Sequence, residues 1–102
     1  MLIRFYNITS TDREVSEEEL VLISDKALGQ SSQSIIDSLL ESGDMLSYHG
    51  IQLDSSSYEI ITTHSDLESL QKFENALQPA ADAVQQKFDV NIIIQPKILD
   101  SE

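Results

Sequence analysis

Twice along this chain a short run rich in β-branched and aromatic residues gives way to a serine, a glutamate three positions on, and an apolar stripe of helical period. The first instance is Ser16 with Glu19, after the strand-like run Leu2 to Ile8. The second is Ser65 with Glu68, after Tyr58 to Thr63. In this capping-box spacing the serine oxygen accepts from an orphan N–H of the first turn while the glutamate reaches back to another. A chain punctuated in this way passes from strand to helix twice, which excludes an all-helical or all-sheet fold.

The helix beginning at Ser16 has further support. Val15 and Leu20 have the spacing of a hydrophobic staple, Glu17 and Glu18 sit at the positive end of the helix dipole, and Lys26 lies in the last turn before Gly29. Ser31 or Ser32 can cap a second segment carrying Ile35, Ile36, Leu39 and Leu40, which Gly43 ends. The first helical region is therefore expected in two pieces, bent at "GQSS". In the later region Leu70, Leu77, Val84 and Phe88 keep nearly one phase across Pro79, which predicts one helix kinked at the proline.

Between the two helical regions the period falls to two. His49, Ile51 and Leu53 share one face, Leu46 and Tyr48 the other, and Gly50 at the phase change marks a bulge or a close approach. "DSSS" supplies a turn, so residues 46 to 63 read as a hairpin with a loop of about four residues. "VNIII" is a last strand, stopped by Pro96 and followed by a short tail at 99–102.

The order β, broken α, β, β, α, β over residues 1–102 is read as a single α+β domain. Two helical crossovers around a central hairpin give the ferredoxin-like split β-α-β arrangement (βαββαβ), a four-stranded antiparallel sheet with helices on one face. Such a sheet should alternate apolar and polar along each strand. Leu2 to Ile8, Ile60–Ile61 and Ile92–Ile94 do not, so part of the open face is apolar. Contiguous patches of this kind mark interfaces. Ile3, Phe5, Ile60 and Ile92 are the candidate contacts, and the cover is a second copy, a partner protein or the "KILD" segment folding back.

Twelve Ile, twelve Leu, four Val and three Phe place the chain far above the apolar content of about 20% below which charged chains stay disordered. With no cysteine, the core holds the fold without disulfides or thiolate metal sites, in keeping with a reducing cytoplasm. No signal-peptide h-region and no membrane-length apolar run are present.

Candidate chemistry is sparse. His49 and His64 lack any recognisable ligand spacing, so no metal is expected. Ser55 to Ser57 have no nucleophile-elbow context, and three scattered glycines make no phosphate loop. Any pair among the eighteen Asp and Glu could serve acid–base catalysis, and their abundance makes a given pair uninformative. The expectation is a protein that is not an enzyme and needs no cofactor.

The remaining signal is charge. A net charge of −12 disfavours direct contact with nucleic acid or an anionic membrane and suits a basic protein partner. Composition thus points to an acidic binding protein, such as an inhibitor, immunity or anti-defence protein aimed at nucleic-acid-handling machinery, in its sharpest form a DNA mimic. Glu17, Glu18, Asp37, Glu41, Glu68 and Glu74 are the candidate anionic contacts. The first alternative is a self-associating structural or regulatory domain, a homodimer joined through the open sheet face, and a third reading is a small-ligand or catalytic domain using the cleft between sheet and broken helix.

Overall fold

The computed structural model describes residues 1–95. The expected C-terminal tail and the fold-back of "KILD" lie outside the described residues. Along the chain run β1 (Leu2–Thr9), α1 (Glu17–Leu28), α2 (Ser32–Ser42), β2 (Ser47–Asp54), β3 (Ser57–His64), α3 (Leu67–Ala76), α4 (Gln78–Lys87) and β4 (Asp89–Gln95). The four strands form one sheet in the order β2-β3-β1-β4, each neighbouring pair antiparallel. This is the ferredoxin-like α+β architecture read from the element order.

The helix signals act mostly as expected. Ser16 Oγ accepts from the Glu19 N–H at 3.2 Å, and Val15 and Leu20 join the same buried cluster. Glu19 does not complete the capping box, because its carboxylate is drawn to Arg13 and Lys87 instead. Gly29 and Gly43 end α1 and α2 with φ of 70° and 84°, the left-handed conformation that a β-carbon disfavours. The bend between these helices is held by Asp25, whose Oδ1 accepts from the Ser32 N–H at 2.8 Å and its hydroxyl at 2.7 Å.

Three local expectations are corrected. The α3 cap is Asp66 rather than Ser65, with Asp66 Oδ1 accepting from the Ser69 N–H at 2.9 Å. A carboxylate both accepts the bond and complements the dipole, so it outcompetes the neighbouring hydroxyl. The kinked helix is two helices meeting at Leu77, with Pro79 in the first turn of α4, where its missing N–H would have had no helical partner. The inward phase survives, since Leu70, Val84 and Phe88 are all buried. Finally, the hairpin loop has two residues between Asp54 and Ser57, because Asp54 Oδ1 accepts from the Ser56 N–H at 2.9 Å and closes the turn early. The register irregularity lies between Gln52 and Asp54, and of the two readings of Gly50 it is the close approach that holds, made by the Tyr58 side chain.

The hairpin tip is tied to the loop before α1. Val15 N–H donates to Ser55 O at 2.9 Å, Ser10 N–H donates to Ser56 O at 3.0 Å, and the Gln52 side-chain amide donates to Val15 O at 2.7 Å. Among the described residues no helix is long and apolar enough to cross a membrane.

Candidate functional site

Strand pairing sorts side chains between the two sheet faces. Tyr6 lies opposite Ile60 on β3 and Ile92 on β4, whereas Phe5 lies opposite Ile61 and Ile93. Because side chains alternate, Leu2, Arg4, Tyr6 and Ile8 face the helices, and Ile3 and Phe5 face away. The four proposed interface residues therefore do not form one patch. Ile60 and Ile92 line the space under the helices, while Ile3 is buried and Phe5 half-buried on the other face, in the company of Ile61 and Ile93.

Under the helices the core is in two parts. One cluster joins Ile8, Val15, Leu20, Tyr58, Val84 and Phe88, and the other joins Ile36, Met45, Leu70 and Phe73. Between them the helices do not close fully on the sheet, leaving a cleft of about 390 Å³. That is within the range of about 300–1,000 Å³ typical of small-molecule sites. Its walls are apolar, formed by residues such as Ile60, Ile92, Leu77 and Val84, and broken by Arg4, Tyr6, Tyr48, Tyr58, Glu17 and Glu74.

The polar groups are organised. Arg4 Nη2 lies 2.8 Å from Glu74 Oε2, and the Tyr6 hydroxyl donates to the same oxygen at 2.9 Å. Side-chain exposure is 11% for Arg4 and 29% for Glu74, so the pair is largely withdrawn from water. The Arg4 guanidinium stands 6.0 Å from the Tyr6 ring centroid, and Arg4 Nε is buried with no hydrogen-bond partner. Burial first, and then the Glu74 carboxylate, drive the Tyr6 hydroxyl far above the ordinary phenol range. Tyr48 is pushed up to about 12 by burial, with Tyr58 and Glu17 adding to it. Burial and then Glu17 push Tyr58 up to about 12. All three phenols thus stay protonated at neutral pH and can act as hydrogen-bond donors.

His64 is another correction. Read as an ordinary linker between strand and helix, it is fully buried at the end of β3. Its Nδ1 is 3.0 Å from Asp44 O and its Nε2 is 3.0 Å from Thr62 Oγ1, with the Phe73 ring centroid 5.5 Å away. Burial holds its pKa below the usual histidine value. His49 is exposed on β2. Among the described residues no group of three or more His, Cys, Asp or Glu side chains could hold a metal ion.

The six proposed anionic contacts lie in two kinds of setting. Glu74 belongs to the cleft with Arg4, and Glu17 lines its wall. Glu18, Asp37, Glu41 and Glu68 are exposed and spread over α1, α2 and α3.

No protein-family model matches the chain, and no curated protein matches it by sequence. Solved structures share its fold. A Deinococcus radiodurans protein assigned as an antibiotic biosynthesis monooxygenase superposes with a TM-score of 0.65 at 14% identity, covering 100% of this chain and 97% of that one. A variant of SnoaB, a cofactor-independent oxygenase from Streptomyces nogalater, gives 0.60 at 10% identity over 98% of each chain. A dimeric ferredoxin-like protein from an uncultured marine organism gives 0.60 at 13% identity, covering 99% of this chain and 89% of that one.

At these identities the likeness is one of fold. Even so, neighbours named as oxygenases stand against the inhibitor, immunity, anti-defence and DNA-mimic readings, and against the expectation of a protein that is not an enzyme. Net charge misled because it reports how many carboxylates a chain has and not where they are placed.

Proposed function

We propose that this protein is an enzyme of the oxygenase class, acting on a small, largely apolar aromatic molecule held in the cleft between sheet and helices. The observation that carries this reading is the Arg4–Glu74 pair with Tyr6, set in the wall of an otherwise apolar cleft. A charge pair withdrawn from water gains little net stability over a hydrophobic filling of the same volume, so its retention is better accounted for by use. Its resemblance in fold to proteins named as oxygenases supports the choice of reaction class.

The cleft's residues suit such a reaction in three ways. Apolar walls exclude water and hold a flat ring. The Arg4 guanidinium and the neutral Tyr48 phenol place hydrogen-bond donors beside a substrate oxygen, and in low dielectric such bonds count for more than in water. An electron-rich aromatic substrate itself supplies the electrons that dioxygen takes up, so these residues need only hold it, orient its oxygen and keep water away.

The test is oxygen uptake and thermal shift with a panel of hydroxylated bicyclic and tricyclic aromatics. The expected result is a raised melting temperature with at least one of them and uptake above the buffer control, both lost when Leu77→Trp fills the cleft. A panel that neither stabilises the protein nor consumes oxygen would sink the reading.

The homodimer is proposed as the enzyme's assembly. Ile51, Leu53 and Ile93 are 44%, 51% and 54% exposed on the sheet face away from the helices, beside the half-buried Phe5 and Ile61. Such a patch on a chain of net charge −12 favours an apolar, self-complementary contact. Sedimentation should show a dimer that Ile93→Asp converts to monomer. A monomeric wild type at micromolar concentration would refute it.

A further inference from the structure

Arg4 is only partly satisfied where it stands. Nη2 is committed to Glu74, the Tyr6 ring lies against the guanidinium, and Nε has no acceptor. A buried donor on a charged group is costly to leave unmade. Arg4 nonetheless lies in the wall of the cleft, where a bound molecule can bring an acceptor to its guanidinium.

The electrostatic setting narrows what that acceptor can be. Glu74 offsets the charge of Arg4, and Glu17 adds a second carboxylate to the same lining. Arg4 therefore offers directional N–H groups without a net positive site. A carboxylate or phosphate ligand would lose its hydration and meet no uncompensated cation. A carbonyl oxygen loses far less on entering and needs only the hydrogen bond. Glu74 already accepts from Arg4 and Tyr6 at Oε2, so it is poorly placed to receive a cationic ligand.

We propose that the cleft is selective for aromatic molecules bearing a carbonyl, aryl ketones in chemical class, with Arg4 receiving the carbonyl oxygen and with Glu74 and Tyr6 as positioning residues. This rests on the reading of the cleft as a small-molecule site. Tyr6 orients the carboxylate by donating to it, and the carboxylate in turn fixes the guanidinium that meets the ligand.

Three naphthalenes of one shape test the assignment: 2-acetonaphthone, 2-ethylnaphthalene and 2-naphthoate, titrated by calorimetry or by fluorescence. The wild type should bind the ketone about tenfold more tightly than the ethyl compound, which is about 1.4 kcal/mol, and more tightly than the carboxylate. Arg4→Lys keeps a cation for Glu74 but loses the planar fork. It should retain affinity for 2-ethylnaphthalene and lose the preference for the ketone. If that variant does not fold, Arg4→Met combined with Glu74→Leu removes both charges together and should show the same loss.

Equal binding of ketone and ethyl compound by the wild type, or tighter binding of 2-naphthoate, would overturn the assignment while leaving the small-molecule site standing. A ketone preference that persists in the Arg4 variants would overturn the role of Arg4. Failure of all three probes to bind would remove the small-molecule reading and this inference with it.

Discussion

The Tyr58 hydroxyl lies so close over Gly50 that a β-carbon added to the glycine would overlap it, with the ring carbons next in line. The requirement for glycine here is one of space and not of backbone angle, since among the described residues positive φ occurs at Gly29 and Gly43 only. Gly50→Ala should therefore displace Tyr58 from the cleft wall and cost about 1–3 kcal/mol, the usual range for overpacking. In a double-mutant cycle with Tyr58→Leu, urea melts should recover most of that loss. Additive effects would mean that the two residues do not meet.

The Arg4–Glu74 pair should behave asymmetrically. Glu74→Leu alone strands a largely buried guanidinium and should destabilise by about 2–3 kcal/mol, toward the low end for broken buried pairs because Glu74 retains some contact with water. Arg4→Met with Glu74→Leu should recover part of that loss and lie about 1 kcal/mol below the wild type, the remainder being the Tyr6 hydroxyl left without its acceptor. Chemical denaturation of the three proteins checks both values.

His64 makes stability depend on pH on the acid side of neutral. Its folded pKa is lowered by burial, and by Arg4, against the raising effects of the Asp44 carbonyl and of Glu74. The unfolded chain therefore takes up this proton first as pH falls. The contribution is complete above the unfolded value of about 6.5 and is lost as pH falls through the lower folded value. His64→Gln should remove the slope that sets in below about pH 6.5. The exposed Asp66 and the half-buried Asp25 and Asp44, whose values are lowered by their hydrogen bonds, act only at more acid pH. An NMR titration that puts His64 at or above about 6.5 would contradict this.

Tyrosine ionisation gives the mirror-image test. All three phenols are raised, Tyr48 and Tyr58 to about 12 and Tyr6 beyond the usual range. Their contribution is present below the ordinary phenol value of about 10 and is lost as pH climbs toward the folded values. At pH 10 the folded protein should show almost no tyrosinate absorbance at about 295 nm, whereas in urea about half the phenols should ionise. Half-ionisation of the native protein at that pH would refute the burial of these groups.

Much of the fold was legible because its signals are local. Ser16, Gly29 and Gly43 each act within one helical turn, and the order of strands and helices fixed the topology. Errors arose where two neighbours compete for one role. Ser65 and Asp66 can both cap, and the carboxylate prevails; in "DSSS" the side chain of Asp54 closes the turn sooner than composition suggests. The polar lining of the cleft was missed because Arg4 and Glu74 are far apart in sequence and no local pattern links them. A signal was nevertheless present. Arg4 shares strand parity with Tyr6 and Ile8, so a cation on the helix-facing side called for a buried acid, and Glu74 follows Phe73 on the inward phase of α3. Charge counted over the whole chain obscured that single inward pair.

The two-part core has an evolutionary consequence. Leu70, Phe73 and Met45 anchor one end of the molecule, and Phe88, Val15 and Ile8 anchor the other, so the middle span resembles a bridge deck between fixed piers. Substitutions at Tyr48, Ile60 or Ile92 can reshape what the middle accommodates while both piers stay intact. Descendants of such a chain can therefore drift from one guest to another without passing through an unfolded ancestor.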